Sequence, residues 1–184
     1  MALTKVQAEG INLADTFAFS GDVTGVGITN LQIFRVNQQI TATTSPTTIT
    51  DWTDAHNSSG FKRIGTAWSV SSGVFTPSTS GVYQITFVAD IYNNADARYI
   101  QFDYHFSTNS GSSYTVHTMY CFLPFVGSNN TYAEFTFPRY YNISDASTFR
   151  FQVKYSAANT SQFLRGGSDN AISHLSIMRL ADAQ

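Results

Sequence analysis

The sequence predicts an all-β protein of antiparallel strands, in the class of sandwiches, jelly rolls and barrels, on three observations. From Leu31 onward, short runs rich in β-branched and aromatic residues recur between turn signals. Two of these runs alternate in character: Ile100, Phe102, Tyr104 and Phe106 are interleaved with Tyr99, Gln101, Asp103 and His105, and Phe149, Phe151, Val153 and Tyr155 with Arg150, Gln152 and Lys154. A period of two puts one side of a strand in a core and the other in water. Finally, no window of helical length repeats its apolar residues at spacings of three and four.

Taken in order, the expected strands cover 31–40, 64–70, 82–92, 98–107, 114–122, 132–140, 149–156 and 171–180. The linkers 107–113, 127–130 and 165–170 are rich in Gly, Asn and Ser, the residues that supply positive φ or side-chain-capped turns to hairpins. The stretch from Trp68 to Phe87 is the most structured to the eye. Phe75 and Pro77 precede a Ser78-Thr79-Ser80-Gly81 corner, and Tyr83 and Phe87 follow it on a β-branched run.

Composition narrows the function classes. Charged residues make up 12% of the 184 residues and aromatics 15%, against roughly 25% charged in ordinary soluble domains. The surface is therefore expected to be solvated by hydroxyls and amides. A formal net charge of −2 offers no electrostatic footprint for nucleic acid and no polybasic patch for a membrane. The single cysteine, Cys121, lies in an apolar run and reads as a buried hydrophobe with no internal disulfide available to it. No run of signal-peptide or membrane-span length occurs, so the expectation is a chain made in a cytoplasm, without membrane insertion. The four Asn-x-Ser/Thr triplets, at Asn57, Asn129, Asn142 and Asn159, read as by-products of a chain rich in those residues.

Residues 1–30 differ from the rest and end in a glycine-rich connector, Ser20-Gly-Asp-Val-Thr-Gly-Val-Gly27. They are expected to form an extended attachment arm, ahead of a head domain at 31–184. The arm's apolar residues Ile11, Leu13, Phe17 and Phe19 are too few for a core and are expected to dock on another protein or subunit.

The spacing Trp68-x6-Phe75-x5-Gly81-x-Tyr83-x-Ile85-x-Phe87 resembles the signature of the trimeric jelly-roll heads shared by complement first-component globular domains and tumour necrosis factor relatives. Ile85 stands where that signature carries an aromatic, and Asn57 and Arg63 stand where it would carry an aromatic and an acid or amide. The resemblance covers about residues 31–180 and ends on a run through His174 to Leu180 that looks like the last strands of such heads. It implies a jelly-roll β-sandwich of about 8–10 strands that forms a homotrimer. The arm, from Lys5 to Gly25, resembles a segment recurring in tail-fibre and other structural proteins of tailed phages. Together the two resemblances imply a virion surface protein, assembled in a host cytoplasm, whose partners are itself and, through the arm, other virion proteins. The first functional expectation is a receptor-binding fibre tip that contacts a host surface glycan or protein; the alternative is a capsid decoration protein.

The residues themselves point away from catalysis. Four scattered histidines and one cysteine show no metal-ligand spacing, no G-x-S-x-G elbow frames a serine, and Glu134 reads as a polar-face residue rather than an acid catalyst. No cofactor and no metal are expected, although Asp51 with Asp54, and Asp90 with Asp96, leave a calcium-binding loop open. Trp52, Tyr92, Tyr99, Tyr114, Tyr140 and Tyr141 lie in or beside expected loops, where a ring could stack on a receptor; Trp52, Tyr92, Tyr114 and Tyr141 are the chosen contact candidates. The strands at 82–92 and 98–107 carry aromatics on both faces, more apolar surface than one sandwich hides, and closed symmetry would bury the excess. Tyr83, Leu175 and Ile177 are the candidates for the trimer contact.

Overall fold

The computed structural model describes residues 28–55, 63–95, 99–122, 130–167 and 172–184. Thirteen strands run in chain order: β1 (Asn30–Val36), β2 (Ile40–Thr41), β3 (Thr47–Thr48), β4 (Trp52–Asp54), β5 (Ser69–Ser71), β6 (Val74–Thr76), β7 (Gly81–Asn93), β8 (Ile100–Ser107), β9 (Thr115–Cys121), β10 (Thr131–Ile143), β11 (Arg150–Ala157), β12 (Gln162–Leu164) and β13 (His174–Ala181). All pairings are antiparallel. They form two sheets, the first in the order β10-β7-β13-β1-β4 with β12 and β2 beside one end of β7, the second in the order β5-β6-β11-β8-β9 with β3 on β11. This is the jelly-roll β-sandwich that the sequence predicts.

Alternation builds the core. Along β7, Gly81, Tyr83, Ile85, Phe87, Ala89, Ile91 and Asn93 are all buried while the residues between them are half-exposed. Rings from both sheets meet edge to face: Phe75 packs on Phe34 at 5.0 Å and on Trp52 at 5.3 Å, and Phe87 on Phe102 at 5.2 Å. Edge-to-face packing sets the positive ring edge against a negative face, adding to what burial alone gives. Trp68, 2% exposed, lies against Tyr83 at 5.1 Å and Phe149 at 6.2 Å. Every aromatic of the signature stretch therefore points into the sandwich.

The corner before β7 is held by Tyr83, whose hydroxyl donates to the Thr79 carbonyl at 3.0 Å and meets the Thr79 hydroxyl at 2.9 Å. Gly81 sits at φ +153°, where a Cβ would come within 2.5 Å of Arg179 Nε, so the close approach of β13 requires glycine there. The expected strand at 64–70 is mostly not one. Ile64 makes a single bridge to Leu31, Gly65 turns the chain at φ +73°, and the strand begins only at Ser69. Ser72 and Gly73, at φ 50° and 78°, then close the β5–β6 hairpin with the two positive φ values of a type I′ turn.

Two buried polar side chains stitch the layers. Gln32, 1% exposed, accepts from the Trp68 N–H at 2.7 Å and donates to Asp54 Oδ2 at 2.6 Å. The Tyr104 hydroxyl reaches from β8 into the opposite sheet, accepting from the Phe87 N–H at 2.9 Å and donating to the Phe137 carbonyl at 2.6 Å. Phe87 and Phe137 are opposite each other in the β7–β10 register, so one phenol bridges two strands of the facing sheet.

Candidate functional site

Among the described residues the edge strands on one side of the sandwich are β10, paired with β7, and β9, paired with β8; on the other side they are β4, paired with β1, and β5, paired with β6. β10 and β9 are on the same side because β8 faces β10, Phe102 to Phe137 at 5.6 Å, while at the other side β6 faces β1, Phe75 to Phe34 at 5.0 Å. Pro138 sits on β10, where the missing N–H costs no ladder bond at an edge.

The side at β9 and β10 carries much of the exposed aromatic surface. On the β9 side Tyr120 and Phe122 are 58% and 69% exposed, and on β10 Tyr132 and Tyr140 are 56% and 65%. Between the sheets, Phe135 and Phe137 are half-buried and stacked at 6.4 Å, with Met119 and Cys121 behind them on β9. The half-buried Phe135 and Phe137 thus lie between the sheets while Tyr120, Tyr132 and Tyr140 take the outward parity of their strands, and exposed apolar surface of this kind marks an interaction site. β-branched and aromatic content between turn signals already marked 132–140 as a strand, but nothing local in it says that it would lie at an edge.

The sequence-predicted residues divide sharply. Trp52 is 8% exposed and donates its indole N–H to the Ile49 carbonyl at 2.7 Å, and Tyr141 is 6% exposed among Phe106, Phe149 and Phe151. Neither can stack on a receptor; both are core residues, because their strands turn those positions inward. Tyr83, Leu175 and Ile177 are each 0% exposed within one chain and so make no inter-subunit contact. They share the inward parity of β7 and β13 with Ile85, to which Ile177 is opposite. Tyr114 does remain at the surface, half-buried beside His105 at 6.0 Å. The arm candidates Ile11, Leu13, Phe17 and Phe19 lie outside the described residues.

Tyr92 is half-buried on the outer face of β7, but its ring is already used. Tyr132 stacks on it at 5.5 Å from β10 and Phe163 at 4.7 Å from β12, with interplanar angles of 22° and 14°. The three residues are in register across the sheet, so the ladder occupies both faces of Tyr92 and leaves none for a sugar. Arg165 lies 5.3 Å over the Tyr132 ring and binds both oxygens of Asp90, at 3.2 and 2.9 Å. Glu134 is exposed and opposite Asp90, and Arg165 offsets the like-charge contact there.

The polar groups show structural rather than reactive settings. Asp54 takes Arg63 at 3.3 Å, so of the aspartates considered for calcium, Asp54 and Asp90 each have a guanidinium partner, while Asp96 lies outside the described residues. Among the described residues no group of three or more His, Cys, Asp or Glu is placed to hold a metal ion. Burial pushes the Cys121 thiol up to about 12, keeping it protonated and inert at neutral pH. Burial likewise raises the phenols of Tyr104, Tyr141 and Tyr155. His105 is lowered by burial and then by neighbouring Lys154, with Asp103 opposing.

No family model matches the sequence, and no curated protein matches it. Solved structures are similar over most of the chain. Murine APRIL is similar at 12% identity and a TM-score of 0.49, over 82% of this chain and 98% of that one. The globular domain of zebrafish complement 1qA protein is similar at 13% identity and 0.48, over 84% and 99%. PRD1 vertex protein P5 is similar at 15% identity and 0.46, over 84% and 99%.

Proposed function

We propose that this chain is a non-enzymatic virion surface protein of a tailed phage, a homotrimer whose heads form a receptor-binding tip and whose residues 1–30 attach it to other virion proteins. The observation that carries the trimer is the side of the sandwich at β9 and β10, where Tyr120, Tyr132 and Tyr140 are exposed on the outer faces of the two edge strands, Phe122 is exposed just past β9, and Phe135 and Phe137 are half-buried between the sheets. Three copies meeting along that side bury the seam around a closed axis, whereas an open head-to-tail contact would grow a filament. Support for the virion comes from the sequence of the arm, and support for adhesion from a low-charge surface of hydroxyls, amides and aromatics.

Counting the chain against the coat protein in purified virions tests the reading. A fibre tip gives a few tens of copies at most and binds host cells as purified protein. Hundreds of copies, with no binding to cells, would overturn adhesion in favour of a capsid decoration protein.

A further inference from the structure

At the side of the sandwich opposite the open edges, the chain crosses from one sheet to the other. β2 belongs to the first sheet, beyond β12 from β7 and β10, and β3 to the second, beyond β11 from β8 and β9. Under this crossing lies a cleft of about 390 Å³, within the roughly 300–1,000 Å³ of small-molecule sites. Its walls are pinned by backbone hydrogen bonds: Ala42 N–H to Gln162 O, Ala157 N–H to Thr43 O and Ile49 N–H to Val153 O at 2.9 Å, and Asn37 N–H to Asp51 O at 3.0 Å. Such a cleft is formed before any ligand arrives, which lowers the ordering cost of binding.

The lining has one chemistry. Five threonines, at 41, 43, 47, 48 and 50, line it with Gln38, Gln39 and Ile40, and the buried Ile49 and Tyr155 form its floor. Among the lining residues there is no Lys, Arg or His, and the one ion is Asp51. Thr43 and Thr47 already bond each other and the Ser45 carbonyl, and Thr48 donates to Gln152 Oε1, while Asp51 Oδ2 and the Tyr155 hydroxyl are buried without a hydrogen-bond partner among the described residues. A carboxylate with no cation among the lining residues disfavours anions, and a rim of hydroxyls and amides wastes its hydrogen bonds on a hydrocarbon. What suits it is a neutral ligand with many hydroxyls, each able to donate and to accept, and a C–H face to lie on the half-buried Ile40.

We propose that this cleft binds a neutral saccharide, and, resting on the adhesion reading above, that it is the point at which the head contacts a host surface glycan. Its position opposite β9 and β10 leaves it open when the apolar seam is buried between subunits, so a trimer presents three copies outward. Individually weak sites then act together, as linked binding events do.

Saturation-transfer NMR on the full chain with free glucose, galactose, mannose and N-acetylglucosamine tests the site. At least one neutral sugar is expected to bind with a roughly millimolar Kd. Asp51→Asn should weaken it about 10-fold, the size of a lost charge-assisted hydrogen bond, and Thr50→Trp, which fills the cleft from an exposed position, should abolish it, both variants keeping the wild-type melting temperature and mass. No transfer from any neutral sugar, equal transfer in Thr50→Trp, or preference for a sugar acid would overturn the proposal. Adsorption to host cells separates the two readings. If wild type and Thr50→Trp adsorb alike, this cleft is not the contact although adhesion stands; if wild type binds a sugar but no cells, the adhesion reading fails and the saccharide site stands.

Discussion

Tyr104 joins the two sheets through a single oxygen, bonded at once to the Phe87 N–H and the Phe137 carbonyl. Tyr104→Phe removes that oxygen with little change of shape and leaves both backbone groups short of a partner. Leaving buried groups unpaired is expected to cost about 1–3 kcal/mol, read as a lower denaturant midpoint at unchanged slope. His105 contributes a pH dependence of known sign. Burial and Lys154 hold its folded-state pKa below the unfolded value, so the folded state resists protonation; the contribution is intact above the unfolded pKa, near 6.5, and is lost as pH falls through the lower folded value. Thermal melts of wild type should weaken between neutral and mildly acidic pH, and His105→Gln should flatten part of that slope. A slope unchanged by the substitution would show that His105 does not set it. At this scale the sequence was legible where alternation is plain: Phe102 and Phe151 read as core residues and are, whereas Tyr83, expected at a subunit contact, is core as well. It misled at Trp52 and Tyr141, since an aromatic beside a turn looks alike from the sequence whether its strand faces it inward or outward.

Among the elements, the long strands were visible and the short ones were not. β7, β8 and β11 carry their period over eight or more residues, whereas β2, β3, β4 and β12 span two or three, too few for a period to show against the surrounding threonines and serines. These short strands shape the cleft, which is why no local motif announced it: residues from 38 to 51 meet Tyr155 only because β3 pairs with β11. The edge status of β9 and β10 was hidden for a related reason, since a strand's place in a sheet is set by its partners and not by its own pattern. If those edges are the subunit contact, placing charge on them should separate assembly from folding. Tyr120→Glu combined with Tyr140→Glu alters two exposed side chains on the outer faces of the edge strands β9 and β10, and is expected to give a monomer with an intact β-sheet spectrum. Ile64→Glu, exposed away from that side and bridged to β1, should leave assembly untouched. Loss of the trimer in both, or in neither, would move the contact elsewhere.

For the whole molecule, a sandwich core and an apolar seam make different demands. The core is satisfied within one chain, with Tyr83, Ile85, Phe87, Leu175 and Ile177 all fully buried, so the excess of aromatic surface noted in the sequence is real but lies on other residues than those first chosen. It is concentrated at β9 and β10, and association is the means by which such surface leaves water. A trimer built on that side would direct the three polar clefts outward, which would tie self-association to the proposed contact with a host. Light scattering of the full chain in dilute buffer tests this most directly: three chain masses are expected for wild type and one for the Tyr120→Glu, Tyr140→Glu variant, whereas one chain mass for wild type would contradict the assembly on which the function is built.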